Sequence, residues 1–166
     1  ILILRLEQEY RLIIIGLVSV LLLVAANGLF VATEFAYVAV RRTRVEQLAE
    51  GGQARARLLL NSLHDLDNYI AATQLGITLA SLALGWVGEP ALARVIEPPV
   101  EALVGGWAPA ISHGVAVAIS FSLITSLHIV LGELAPKTLA LQRSEATALW
   151  VAAPIAVFNR VFRPFI

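Results

Sequence analysis

The chain has 166 residues, 58% of them hydrophobic and only 14% charged, with a formal net charge of zero. A soluble domain is nearer half apolar and a quarter charged, so this composition points to a membrane protein, and the balanced charge gives no reason to expect a nucleic acid partner. There is no cysteine and there are three histidines, which excludes disulfides and thiolate metal sites and argues against a zinc enzyme. The mean hydropathy of +0.81 comes from three long apolar runs. They predict one small all-α membrane domain with three transmembrane helices and amphipathic juxtamembrane helices on the cytoplasmic side.

Residues 1–11 carry Arg5, Glu7, Glu9 and Arg11 and read as a short polar lead-in, of the kind that lies at an interface. The apolar run behind them is too long for the h-region of a cleaved signal peptide. The first span is predicted over 12–40, since about 20 apolar residues cross a bilayer. It is not uniform: Asn27, Gly28, Thr33 and Glu34 fall in its second half. An acid inside a span costs about 2.5–3.5 kcal/mol on insertion scales, so Glu34 is expected to face a polar interior or a bound ion. The plainer alternative is an interfacial Glu34 that reaches for water, because Arg41 follows within two helical turns.

Residues 41–67 are polar, and before Asp65 the arginines Arg41, Arg42, Arg44, Arg55 and Arg57 outnumber Glu46 and Glu50. An excess of arginine marks a cytoplasmic loop; the cluster either touches anionic headgroups or only sets topology. Leu48, Leu58, Leu59 and Leu63 supply the apolar side of amphipathic helices. The second span, 68–87, is rich in small and hydroxylated residues, which let helices approach closely and hydrogen-bond across. Gln74, Thr78 and Ser81 share one face at spacings of four and three, either as oxygens for an ion or as ordinary packing. A loop at 88–109, with Glu89, Glu97, Glu101 and four prolines against Arg94 alone, fits the outside face.

The third span, 110–132, carries Ser120, Ser122, Thr125, Ser126 and His128 and is polar enough to face other helices. His128 is either a proton-linked group or hydrogen-bonded packing. Then come Gly132-Glu133-Leu134-Ala135-Pro136-Lys137, with the chain's only lysine. Glycine loosens a helix and proline removes a donor, so the helix is expected to end or break here, leaving carbonyls beside a carboxylate. Residues 137–166 are interrupted by Arg143, Glu145, Pro154, Arg160, Arg163 and Pro164, a pattern that suits an interfacial belt better than a fourth crossing. Three crossings place the amino end outside and the carboxyl end in the cytoplasm.

Three segments together resemble the membrane domain of the CorC/CNNM family of magnesium transporters: residues 27–36 (NGLFVATEFA), residues 72–82 (ATQLGITLASL) and residues 132–137 (GELAPK). The last is the most specific, and their order and spacing match over nearly the whole chain. The resemblance implies a homodimer of three-span subunits in the plasma membrane and a cation site in each subunit, open to the cytoplasm. It implies sodium-linked export of Mg2+, and cytoplasmic CBS modules that bind ATP and follow the membrane domain in longer relatives; the sequence is expected to be a truncated piece of such a protein. Glu133 and the Gly132 carbonyl match the third-span motif, and Glu34 matches an acid or amide of the first span. The chain departs from the family at Val31-Ala32, where relatives carry Ser-Gly, and at Gly76-Ile77, where they carry Gly-Asn. Thr33, Thr78, Ser81 and Gln74 stand as substitutes, beside backbone carbonyls and water.

Magnesium takes about six oxygens at roughly 2.1 Å, and acids beside hydroxyls are hard-cation ligands. The expected metal ligands are therefore Glu34, Glu133, Thr33, the Gly132 carbonyl, Thr78, Ser81 and Gln74, with Na+ exchanging near the same acids. Two other functions remain open: a dimeric membrane anchor for a cytoplasmic sensor, with the acids paired to Lys137 or Arg41, and a passive cation channel. An enzyme is not expected, because no nucleophile stands near a base and no phosphate loop is present.

Overall fold

A computed structural model describes residues 2–104 and 109–166, and side chains over 7–103 and 111–166. The described chain is helical nearly throughout: α1 (Leu2–Ala39), α2 (Arg42–Glu50), α3 (Ala54–His64), α4 (Leu66–Val104), α5 (Pro109–Leu127), a π-helical segment (His128–Leu134), α6 (Ala135–Gln142), α7 (Ser144–Phe162) and a closing 3-10 turn (Arg163–Phe165). Three stretches are long and apolar enough to cross a membrane: Glu7–Ala39, Leu66–Leu103 and Ile111–Gln142. At most 28% of the 18-residue apolar window in each is buried inside the protein, so most of the apolar surface there is left for lipid. The chain is a membrane protein.

Three features differ from the sequence expectations. The polar lead-in is not a separate element, because α1 runs unbroken from Leu2. The predicted loop at 88–109 is helix as far as Val104, with Pro90, Pro98 and Pro99 inside α4; residues 105–108 of that loop lie outside the described residues. Each proline deletes one backbone donor. Opening the helix among apolar surroundings would orphan more backbone groups than that, which is why membrane helices retain prolines. The third difference is at Gly132-Glu133, where the helix neither ends nor breaks but widens into π-helical turns and resumes as α6.

The helices fall into two compact units. One comprises residues 1–24 and 80–129. Its core is Val20, Val24, Leu84 and Ile124, with Leu23 and Leu92 packed against them. Three hydroxyls of α5 close on their own helix: Ser120 donates to the Ala116 carbonyl, Ser122 to Ala118 and Ser126 to Ser122. That is how a hydroxylated stretch satisfies itself inside an apolar helix.

The other unit comprises residues 25–79 and 130–166. Here α2 and α3 form a helical hairpin. Gly52, at φ +90°, makes the turn, a backbone conformation that residues with a Cβ rarely adopt; the Gln53 amide closes it on the Leu48 carbonyl at 3.1 Å. Val45 and Ala49 of α2 and Ala56, Leu59 and Ser62 of α3 point inward. They meet a stripe on α7 made of Thr147, Ala148, Val151, Ala152 and Ile155. Of the four leucines expected on the apolar side, Leu59 is fully buried, Leu48 and Leu63 pack at the core's edge, and Leu58 is exposed. Arg44 pairs with Glu145 at 3.4 Å across this packing. The far face of α7 is apolar as well, with Trp150, Val157 and Val161 exposed, so α7 buries one apolar face and leaves a second uncovered by the chain.

The first-span helix enters this unit through Phe30, Ala32, Ala36 and Tyr37. The Phe30 ring packs tilted against Phe158 of α7, with centroids 4.7 Å apart. It also covers Gly76 of α4 so closely that a Cβ there would fall 2.5 Å from the ring.

Candidate functional site

The site is organised by the π-helical segment. In an α-helix the Gly132 carbonyl would accept from the amide of residue 136, and Pro136 has no N–H to give. The carbonyl is met from another helix: Asn27 Nδ2 of α1 donates to Gly132 O at 3.1 Å. Both residues are buried, Asn27 completely. Their approach depends on Gly28. A Cβ at that position would lie 2.9 Å from Pro136 Cγ and 3.3 Å from the Leu131 carbonyl. The pair Asn27-Gly28 thus seats α1 directly on the π-helical turns.

One helical turn and a half along α1 stand Thr33 and Glu34. Thr33 is buried and its hydroxyl donates to the Leu29 carbonyl at 2.7 Å; the oxygen keeps its lone pairs for a cation or a further donor. Glu34 is half-buried, and among the described residues it forms no ion pair. Glu133 follows Gly132 in the π segment and is exposed. Lys137 stacks its ammonium over the Phe35 ring at 4.5 Å. On α4, Thr78 donates to the Gln74 carbonyl at 2.9 Å, and both residues are exposed.

Six of the seven residues singled out in the sequence therefore belong to the same unit: Thr33, Glu34, Gln74, Thr78, Gly132 and Glu133. Ser81 falls in the other unit. There its hydroxyl lies 3.4 Å from His128 Nε2, which makes His128 a hydrogen-bonded group on a cross-helix contact. Among the described residues no three or more His, Cys, Asp or Glu side chains converge on a metal-sized site. Any cation held here would rest on two acids at most, completed by hydroxyl, amide and carbonyl oxygens. Sequence reasoning missed Asn27 as a structural partner. The available signal was an amide in an otherwise apolar run, which is expensive in a membrane unless it is bonded.

Residues 17–166 match the family described as the Cyclin M transmembrane N-terminal domain. The chain is 46% identical over 151 residues to the UPF0053 protein YhdT of Bacillus subtilis, covering 91% of this chain and 32% of that protein. It is 40% identical to the UPF0053 protein YugS of the same organism, covering 93% of this chain and 35% of that one. A more distant relative, the UPF0053 protein sll0260 of Synechocystis, is 32% identical over 89% of this chain and 32% of its own length. The chain thus spans about a third of the length of these relatives. With the family matched over almost its whole length, and three helices able to cross a bilayer, the chain belongs to the CorC/CNNM family as its membrane domain.

Proposed function

We propose that this domain carries Mg2+ across the plasma membrane, exporting it in exchange for Na+. Glu34 and Glu133 supply the negative charge. Thr33, the Gly132 carbonyl, Thr78 and Gln74 complete the oxygen shell together with water. The single observation that carries the reading is the Asn27–Gly132 bond. It anchors a distorted, acid-bearing turn of one membrane helix to the stretch of another that holds Thr33 and Glu34. Departures from α-helical hydrogen bonding at membrane depth are how transporters present carbonyls to ions, and π-helical turns are frequent at functional sites.

The shell is built of neutral oxygens and carboxylates, which suits a hard cation. Two carboxylates offset a double charge in surroundings where an unpaired ion is costly. Magnesium keeps several waters, so a site short of protein ligands fits its chemistry. In this reading two copies form a homodimer, the amino end lies outside and the carboxyl end in the cytoplasm, and regulation resides in the part of the longer relatives that this chain does not span.

Titration calorimetry of the purified protein with Mg2+, with Glu133→Gln and Glu34→Gln in parallel and Ca2+ and Na+ as competitors, tests the site. Saturable binding that is lost in either variant is the expected result. Binding that persists in both would return the acids to a structural role and leave a membrane anchor as the function.

A further inference from the structure

A concavity lies in the unit formed by residues 25–79 and 130–166. It is a groove of about 650 Å³ between α1, the π segment with α6, and α7. Ala25, Ala32, Leu139, Ala146 and Trp150 are among its walls, and Arg143 is the one charged residue that lines it. On α1 the groove uses the face of residues 25, 28, 29 and 32. At 100° per residue, Asn27 and Glu34 lie on roughly the opposite face. The groove borders the Gly132 turn through Gly28, Leu131 and Pro136, but it opens on the face of α1 away from Asn27 and Glu34.

We propose that this groove binds an anionic phospholipid, with an acyl chain along the small residues of α1 and α7 and the phosphate on Arg143. Three observations converge. Its volume is that of a ligand cleft, which runs about 300–1,000 Å³, whereas a second protein chain requires a broad patch of about 800 Å² on each side. Its single charge is cationic and exposed, and Arg143 forms no ion pair among the described residues. The acid two residues along, Glu145, is engaged by Arg44 at 3.4 Å. Trp150, 63% exposed on the wall, is the residue type that favours the headgroup level of a bilayer. A basic pocket between membrane helices with apolar walls is the arrangement that recognises acidic lipid headgroups.

The test uses the full-length protein in nanodiscs of phosphatidylglycerol or phosphatidylcholine with identical acyl chains. Native mass spectrometry then reads the lipid each subunit retains. One arginine near a headgroup predicts about a fivefold preference for phosphatidylglycerol. Arg143→Gln should abolish the preference and Arg143→Lys should keep it, which separates loss of charge from loss of fold. Ala146→Trp, which fills the groove, should lower retention of both lipids. Equal retention of the two lipids by the unmodified protein, or an unchanged preference in Arg143→Gln, would overturn the proposal. So would an Ala146→Trp variant that changes subunit stoichiometry while keeping its lipid, since the groove would then be seating a second copy. Displacement of the retained lipid by inorganic phosphate would also overturn it, because the acyl chain would be contributing nothing.

Discussion

Replacing Asn27 by leucine should loosen α1 from the π-helical turns and weaken cation binding with it. The side chain is fully buried and its amide is bonded to the Gly132 carbonyl at 3.1 Å. Leucine is close in volume, so little of the effect comes from a cavity. What is lost is a donor to a buried carbonyl, worth about 1–3 kcal/mol when nothing replaces it. Hydrogen bonds between membrane helices measure less on average, about 0.6 kcal/mol with a maximum near 1.7, because freed groups find other partners. Gly132 is buried, and with residue 136 a proline the replacement its own helix can offer is the Lys137 amide of a π-helical turn. The upper half of the membrane range, about 1–1.7 kcal/mol, is therefore the expected loss. Denaturant titration in detergent reads this directly, and Mg2+ calorimetry on the same variant should show affinity down by about tenfold if the full 1.4 kcal/mol reaches the site. Asn27→Asp sharpens the test. Where its carboxyl is ionised it cannot donate and sets lone pairs against lone pairs, so at high pH it should lose more stability than the leucine variant despite its matching shape; at low pH the protonated carboxyl can donate and should recover part of the loss. If both variants are as stable as the unmodified protein, the amide does not hold this turn and the account of the site is wrong.

Two further outcomes follow from packing. Gly76→Ala places a Cβ 2.5 Å from the Phe30 ring, and Phe30 is held against Phe158, so overpacking should cost about 1–3 kcal/mol. Adding Phe30→Leu should recover part of that loss, and strictly additive losses in the double variant would show that the two residues do not meet. In α3, Leu59→Ala should cost about 2–5 kcal/mol because the side chain is wholly enclosed, while Leu58→Ala, 41% exposed, should stay within about 0.5 kcal/mol; equal losses in thermal unfolding would mean that α3 docks in another register.

The residues that speak plainly in the sequence are those whose meaning is local. Leu59 at an apolar spacing among arginines announces an amphipathic helix, and an apolar run of the length behind Arg11 announces a membrane helix, because burial in lipid needs only length and composition. Gly132 and Pro136 announce a disturbance for the same reason: each changes its own backbone. The form of that disturbance was not legible. A missing amide can be answered by ending the helix, kinking it or widening it, and the choice depends on what lies opposite. Here an amide 105 residues away in the chain lies opposite. The prolines of α4 mislead in the same way, since their cost is local but the penalty for opening the helix is set by its surroundings. Gln74, Thr78 and Ser81 share a face by periodicity, yet Ser81 meets His128 in a different unit. Helical spacing determines which residues look in one direction. Only the packed chain decides what they look at, because a long helix passes more than one neighbour along its length.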